Sequence, residues 1–159
     1  MGADIHSYAE TKDASGVWRA VEWESDDKWA AGPFDWRSYH LFGWRADVRN
    51  YSAVPPIDEP RGLPDDVSAK VRDAHEGMHW DAHSASWFTT DELLAFDYDQ
   101  QFEDRRVTRN GDGGVTAEPG GGEMTTYREF LGPAFFTDLD RLRALNEQAP
   151  TRIVFWFDN

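Results

Sequence analysis

The sequence has no cysteine among its 159 residues, so a disulfide framework, a thiolate metal site and a thiol nucleophile are all closed to it. Basic charge is scarce. Against 30 Asp and Glu stand 16 Lys and Arg, a formal net charge of −14, and the lysines are Lys12, Lys28 and Lys70 alone. A surface of that sign repels phosphate backbones, and the densest basic stretch, Asp104-Arg105-Arg106-Val107-Thr108-Arg109, is short. No direct contact with nucleic acid is therefore expected. Long apolar runs are lacking as well: nothing approaches the roughly 20 residues of a membrane-spanning helix. The start, Met1-Gly2-Ala3-Asp4-Ile5-His6, has no basic segment leading into an apolar one, and His6 stands where a myristoylation signal needs Ser or Thr. The reading is of a cytoplasmic protein without a membrane partner. Phosphate-cradling glycine motifs and the G-x-S-x-G elbow are also missing.

What is present is enough to build a core. The chain is 40% hydrophobic and 14% aromatic, at a length where one hydrophobic core is usual, so a single domain spanning 1–159 is expected. Its acidity fits solubility, adaptation to high salt, or carboxylates that imitate nucleic-acid phosphates for a basic partner.

The pattern predicts an α+β fold: a small, mainly antiparallel sheet, three to four short helices and long ordered loops. Two β-prone runs, 3–10 and 16–23, flank Asp13-Ala14-Ser15-Gly16, which has the turn chemistry of a hairpin. Leu41, Phe42, Trp44 and Val48 predict a helix over 38–48, and a second helix begins near Asp65 or Ser68 and ends at Gly77. Prolines 55, 56, 60 and 64 exclude regular structure over 51–64. Thr89 and Glu92 form a capping box ahead of Leu93 and Leu94. Residues 110–123 are glycine-rich and read as a flexible loop within the domain. Thr137 opens a helix carrying Leu139, Leu142 and Leu145 on one face, and Ile153-Val154-Phe155-Trp156-Phe157, apolar on both faces, predicts an interior strand beside the N-terminal hairpin.

At Gly2-Ala3-Asp4-Ile5-His6, Glu59-Pro60-Arg61-Gly62-Leu63-Pro64, His83-Ser84-Ala85-Ser86-Trp87 and Phe155-Trp156-Phe157-Asp158-Asn159 the chain resembles a family of small uncharacterised proteins of bacteriophages and bacteria. That family commonly begins Gly-Cys-Asp-Ile-His, with Ala3 here in the place of its cysteine. The resemblance implies a phage or prophage setting, and hence a host-cell cytoplasm. It points to positions without implying a reaction.

Four groups of residues could carry chemistry. Asp4 and His6 lie two apart on a predicted strand and share a face at about 7 Å, with Tyr8 and Glu10 continuing the row. Asp158 could join them if the C-terminal strand pairs nearby, and Asp81 and His83 could reach in from the centre of the chain. Such an Asp/His set suits a divalent metal ion held by Asp4, His6, Asp81 and His83, or a catalytic trio of His6, His83 and Asp4; a solvated strand face is the plainer alternative. Glu59 and Arg61, in a proline-braced segment, could bind a phosphorylated ligand together with Trp87, with Arg37, Arg45 and Arg49 as further donors, or Glu59 and Arg61 could simply pair to fix the loop. His75-Glu76-Gly77-Met78-His79 spells the zinc-peptidase motif, but Gly77 falls where the helix should end. Eight Trp, ten Phe and five Tyr could line a stacking pocket, although most should be core.

The expected function is thus an accessory protein whose Asp/His/Arg pocket binds a small phosphorylated ligand or a divalent metal, with hydrolysis open. The alternative is an acidic, non-enzymatic binder of a basic host protein, of the DNA-mimic or anti-defence kind; a zinc peptidase is the third reading.

Overall fold

The structure, a computed structural model, describes residues 2–107 and 114–159. Residues 110–113 of the glycine-rich segment and residues 108 and 109 of the basic stretch lie outside the described residues. In chain order the elements are β1 (Asp4–Lys12), β2 (Trp18–Ala20), α1 (Tyr39–Ala46), α2 (Ala69–Gly77), β3 (His83–Thr89), α3 (Thr90–Ala95), β4 (Gln101–Asp104), β5 (Arg106–Val107), β6 (Val115–Thr116), β7 (Glu123–Thr126), α4 (Tyr127–Leu131), α5 (Pro133–Gln148) and β8 (Thr151–Asp158). The α+β expectation holds, with five α-helices among the described residues.

These elements form two compact units, each assembled from separate stretches of chain. The first comprises Met1–Arg37, Pro60–Phe96 and Phe135–Asn159; the second comprises Ser38–Glu59 and Asp97–Ala134.

The first unit is built on a four-stranded antiparallel sheet in the order β2-β1-β8-β3. The hairpin forms where its turn residues demand. Asp13 Oδ1 accepts the backbone N–H groups of Ser15 and Val17, and Gly16 takes a φ of 80° that costs a residue without Cβ little. β8 lies in the interior of the sheet, paired on both edges, and its residues 151–157 are all buried. On one of its faces Val154 and Trp156 pack with Val67 and with Val71 of α2. On the other, the Phe155 ring stacks on Phe88 of β3 at 5.7 Å. That two-sided burial is what an uninterrupted apolar run predicts. β3 closes one side of the sheet. Its outer edge is covered by the proline-braced segment, where Gly62 N–H donates to Ala85 O and Arg61 N–H to Ser86 Oγ.

Local signals set the helix starts. Thr89 Oγ1 accepts Glu92 N–H at 3.1 Å while Glu92 Oε1 accepts Thr89 N–H at 3.1 Å, completing the capping box of α3. Thr89→Ala is expected to cost about 1 kcal/mol, read as a lower urea midpoint, and Thr89→Ser to restore most of it. α2 ends at Gly77 as its glycine predicts. α5 begins at Pro133, four residues ahead of the expected Thr137. Proline suits a first helical turn because its missing N–H would have no partner there.

The second unit holds α1, the two-stranded sheets β4-β7 and β5-β6, and α4. Phe102 packs between Tyr127 at 4.6 Å and Phe130 at 4.9 Å, and Trp44 lies against Tyr98 at 5.9 Å. Burial pushes the Tyr98 hydroxyl well above the ordinary tyrosine range. Part of the glycine-rich segment is tied down, since Gly120 and Gly122 donate their N–H groups to Glu103 Oε1 at 2.8 and 2.9 Å.

Candidate functional site

Alternation along β1 sends Ile5, Ser7 and Ala9 into the core and leaves Asp4, His6 and Tyr8 on the other face. The antiparallel register sets Asp4 opposite Asp158 and His6 opposite Trp156. Two carboxylates directly across a ladder repel, so each needs a partner. Asp158 Oδ2 accepts His6 Nε2–H at 2.9 Å along the diagonal between the strands. Asp4 receives a two-pronged guanidinium from Arg37, Nε to Oδ1 at 2.8 Å and Nη2 to Oδ2 at 2.7 Å. The His6 ring is stacked on Trp156 at 5.8 Å, and Trp156 is flanked in turn by Tyr8 at 5.5 Å and by His75, edge to face, at 5.0 Å.

Arg37 holds the Asp4 carboxyl below its ordinary value of 3.8. Because the folded value is depressed, the contact contributes stability above the unfolded value and loses it as the pH falls through the folded one. An NMR titration is expected to place the Asp4 midpoint below 3.8, and Arg37→Ala to return it toward 3.8. A midpoint indifferent to that substitution would show that the ion pair does not persist in solution.

Segment 21–37, without regular structure, brings the remaining residues to this end of the sheet. It is pinned at Gly32, where an added Cβ would lie 2.2 Å from Ser7 O, so only a residue without a side chain can approach the β1 backbone so closely. Phe34 anchors it further, fully buried and stacked on Phe135 of α5 at 4.6 Å, with its N–H donated to Asp138 Oδ2. Between the anchors and the tip, Asp35 Oδ2 accepts Ala31 N–H and Asp27 Oδ1 accepts Trp29 N–H. The result is a cleft of about 390 Å³ lined by Asp4, Ile5, His6, Asp27, Trp29, Asp35, Trp36, Arg37 and Asp158. Four carboxylates face one guanidinium, and Trp29 at its rim is 81% exposed.

The structure gathers Asp4, His6 and Asp158 from the expected set and leaves the others elsewhere. His83 pairs with Phe157, and its ring stacks on Phe157 at 6.1 Å, so it faces away from His6 and Trp156. The cause is a β-bulge. Ser86 pairs with Phe155 but His83 with Phe157, so three steps on β3 match two on β8, and Ser84 absorbs the extra residue with a φ of 53°. Unbroken alternation would have placed His83 opposite Asp158. The His83 Nδ1 instead contacts Ser84 Oγ at 3.0 Å. Asp81 sits exposed in a one-turn 3-10 helix, His79–Asp81. Neither the four-residue metal set nor the catalytic trio is therefore assembled, and among the described residues no three His, Asp or Glu side chains gather as metal ligands.

Arg61 is committed to structure, with a partner other than Glu59. Its guanidinium pairs with Glu92 and donates to Trp87 O at 3.0 Å while lying over the Trp87 ring at 5.0 Å. This holds the Glu92 carboxyl low and ties the proline-braced segment to the capping box. Glu59 belongs to the second unit, its N–H donated to Asp58 Oδ1. The zinc-peptidase motif is broken as Gly77 foretells. His75 lies in the last turn of α2, whereas His79 lies beyond its end with a φ of 53°, so the two imidazoles do not share one helical face.

Missing from the sequence reading are Asp27, Trp29, Asp35 and Trp36, together with the pairing of Arg37 to Asp4. Their signal is the density of Asp and Trp over 26–36, which reads only as a polar stretch until Gly32 and Phe34 are seen to hold it against the sheet. Comparison of the chain with models of known protein families, with curated proteins and with solved structures finds no match. Among the described residues no helix is long and apolar enough to cross a membrane.

Proposed function

We propose that the protein is a non-enzymatic binder whose cleft at the Asp4/Asp158 end of the sheet accepts a positively charged group. The observation that carries this reading is the lining: Asp4, Asp27, Asp35 and Asp158 against the single guanidinium of Arg37, with the indoles of Trp29 and Trp36 beside them. Arg37 is already matched by Asp4, so the remaining field is negative, and aromatic faces attract cations through their quadrupole. The volume is at the lower end of the range for ligand pockets, about 300–1,000 Å³, which fits one alkylammonium or guanidinium group. His6 fixes one oxygen of Asp158 and leaves Oδ1 to a ligand. A phosphorylated ligand, by contrast, would meet carboxylates here and find Arg61 already engaged by Glu92.

A specific observation also favours the reading of an acidic binder of a basic host protein: the −14 net charge would draw a basic surface toward the same cleft. Thermal unfolding in the presence of n-butylammonium, methylguanidinium, inorganic phosphate and magnesium, at matched ionic strength, tests the proposal. The two organic cations are expected to raise Tm by mass action, with the effect lost in Asp27→Asn/Asp158→Asn, while phosphate leaves Tm unchanged. Stabilisation by phosphate, or by magnesium alone, would overturn it.

A further inference from the structure

Three arginines of the first unit are held in the same way, between a tryptophan face and a carboxylate. Arg61 lies over Trp87 at 5.0 Å and pairs with Glu92. Arg141 lies over Trp23 at 3.8 Å and reaches Asp138 at 3.8 Å. Arg152 lies over Trp18 at 4.0 Å and pairs with Glu10 and Asp66, each at 2.8 Å. The chemistry is general: a guanidinium is planar and weakly hydrated, so it stacks on an indole while its edge donates to a carboxylate, which a compact ammonium cannot do.

Lysines of this chain behave differently. Lys12 and Lys28 reach tryptophan faces at 5.7 and 5.0 Å, yet among the described residues neither forms an ion pair with a carboxylate.

At the cleft Trp29 and Asp27 repeat the pairing of tryptophan and carboxylate, with a lysine over the ring in place of an arginine. Trp29 is bound to Asp27 through its own backbone N–H, the residue is 81% exposed, and the cation over its ring is Lys28 Nζ at 5.0 Å. Asp158 lies in the same lining. We infer that the cleft takes an arginine side chain from the surface of a basic partner protein, the guanidinium stacking on Trp29, displacing Lys28, and donating to Asp27 and Asp158. This rests on the proposed cation-binding function and names its ligand. Charge complementarity identifies the occupant: a chain of net charge −14 with a large exposed aromatic beside a carboxylate cleft matches a basic surface bearing an arginine anchor, the residue type that, with tryptophan, dominates protein interfaces.

The test is a calorimetric titration of the full chain with the blocked peptide Gly-Arg-Gly-Arg-Gly, its lysine counterpart Gly-Lys-Gly-Lys-Gly, and methylguanidinium, at low and at physiological salt. The arginine peptide is expected to bind at least 10-fold tighter than the lysine peptide, and Trp29→Ala and Asp27→Asn each to weaken it by 10-fold or more. Both residues are exposed, so the variants are expected to unfold at the wild-type midpoint, which separates a lost contact from a lost fold. Equal binding of the two peptides would overturn the arginine assignment and leave the cation-binding reading standing. Binding of methylguanidinium without either peptide would overturn the protein partner and point to a free guanidinium compound. Binding of none of the three would overturn the inference together with the function beneath it. Arginine preference that survives Trp29→Ala would place the partner elsewhere on the acidic surface and likewise contradict it.

Discussion

Glu10→Ala is expected to lower the unfolding free energy by about 3–5 kcal/mol, read in urea as a large fall in midpoint at unchanged slope. Glu10 and Arg152 face each other across β1 and β8, and both are buried, at 0% and 3% exposure. Glu10 Oε1 accepts Arg152 Nε–H at 2.8 Å, and Oε2 accepts the N–H of Ser68, the residue before α2, at 2.7 Å. One carboxylate therefore both neutralises a buried guanidinium and holds the start of a helix to the sheet. Removing it leaves a buried cation with only the exposed Asp66 beside it and an amide without its acceptor. Two comparisons separate pairing from packing. Asp66→Asn, at a mostly exposed carboxylate, is expected to cost less than about 1 kcal/mol. Replacing Glu10 and Arg152 together by methionine is expected to recover much of the single-variant loss, because what is costly is the unpaired charge. A Glu10→Ala loss below about 1 kcal/mol would mean that the pair does not matter to stability.

Trp156→Ala carries the second large effect, about 3–5 kcal/mol, and joins the core to the cleft. The indole is fully buried, packed with Val67, Val71 and Val154, and it is the surface on which His6 stacks. Truncation leaves a cavity and removes the ring that orients the imidazole toward Asp158. The variant should therefore lose cation affinity as well as stability. Trp156→Phe, which keeps an aromatic face, is expected to cost less in both. If Trp156→Ala is strongly destabilised yet binds cations as wild type does, the His6 stack has no part in the site.

Much of this was legible in the chain because it is encoded locally. The Asp13 to Gly16 turn, the Thr89 and Glu92 box, the helix stop at Gly77 and the apolar run of β8 each declare themselves within a few residues, and each is found. The pairing of Asp4 and His6 on one face follows from strand alternation, and Asp158 joins them because the termini pair. What alternation cannot foresee is where it breaks. A single residue, Ser84 with φ 53°, moves His83 to the opposite face and dissolves both the metal set and the catalytic trio. Arginine partners were equally out of reach, since the choice between Glu59 and Glu92 for Arg61, or the arrival of Arg37 on Asp4, depends on contacts 31 and 33 residues apart in sequence. The placing of the tryptophans of segment 21–37 depends on the close approach of Gly32 to Ser7, a contact between distant stretches of the chain.

Nitrogen-15 NMR with methylguanidinium as probe tests the central claim most directly, because the backbone amides and the indole N–H of Trp29 report separately on the cleft. Saturable shifts are predicted for that indole and for residues 4–6, 27–37 and 158, abolished in Asp27→Asn/Asp158→Asn. Shifts spread without saturation over the acidic surface, or confined to residues away from this end of the sheet, would contradict the assignment of the cleft as a cation site.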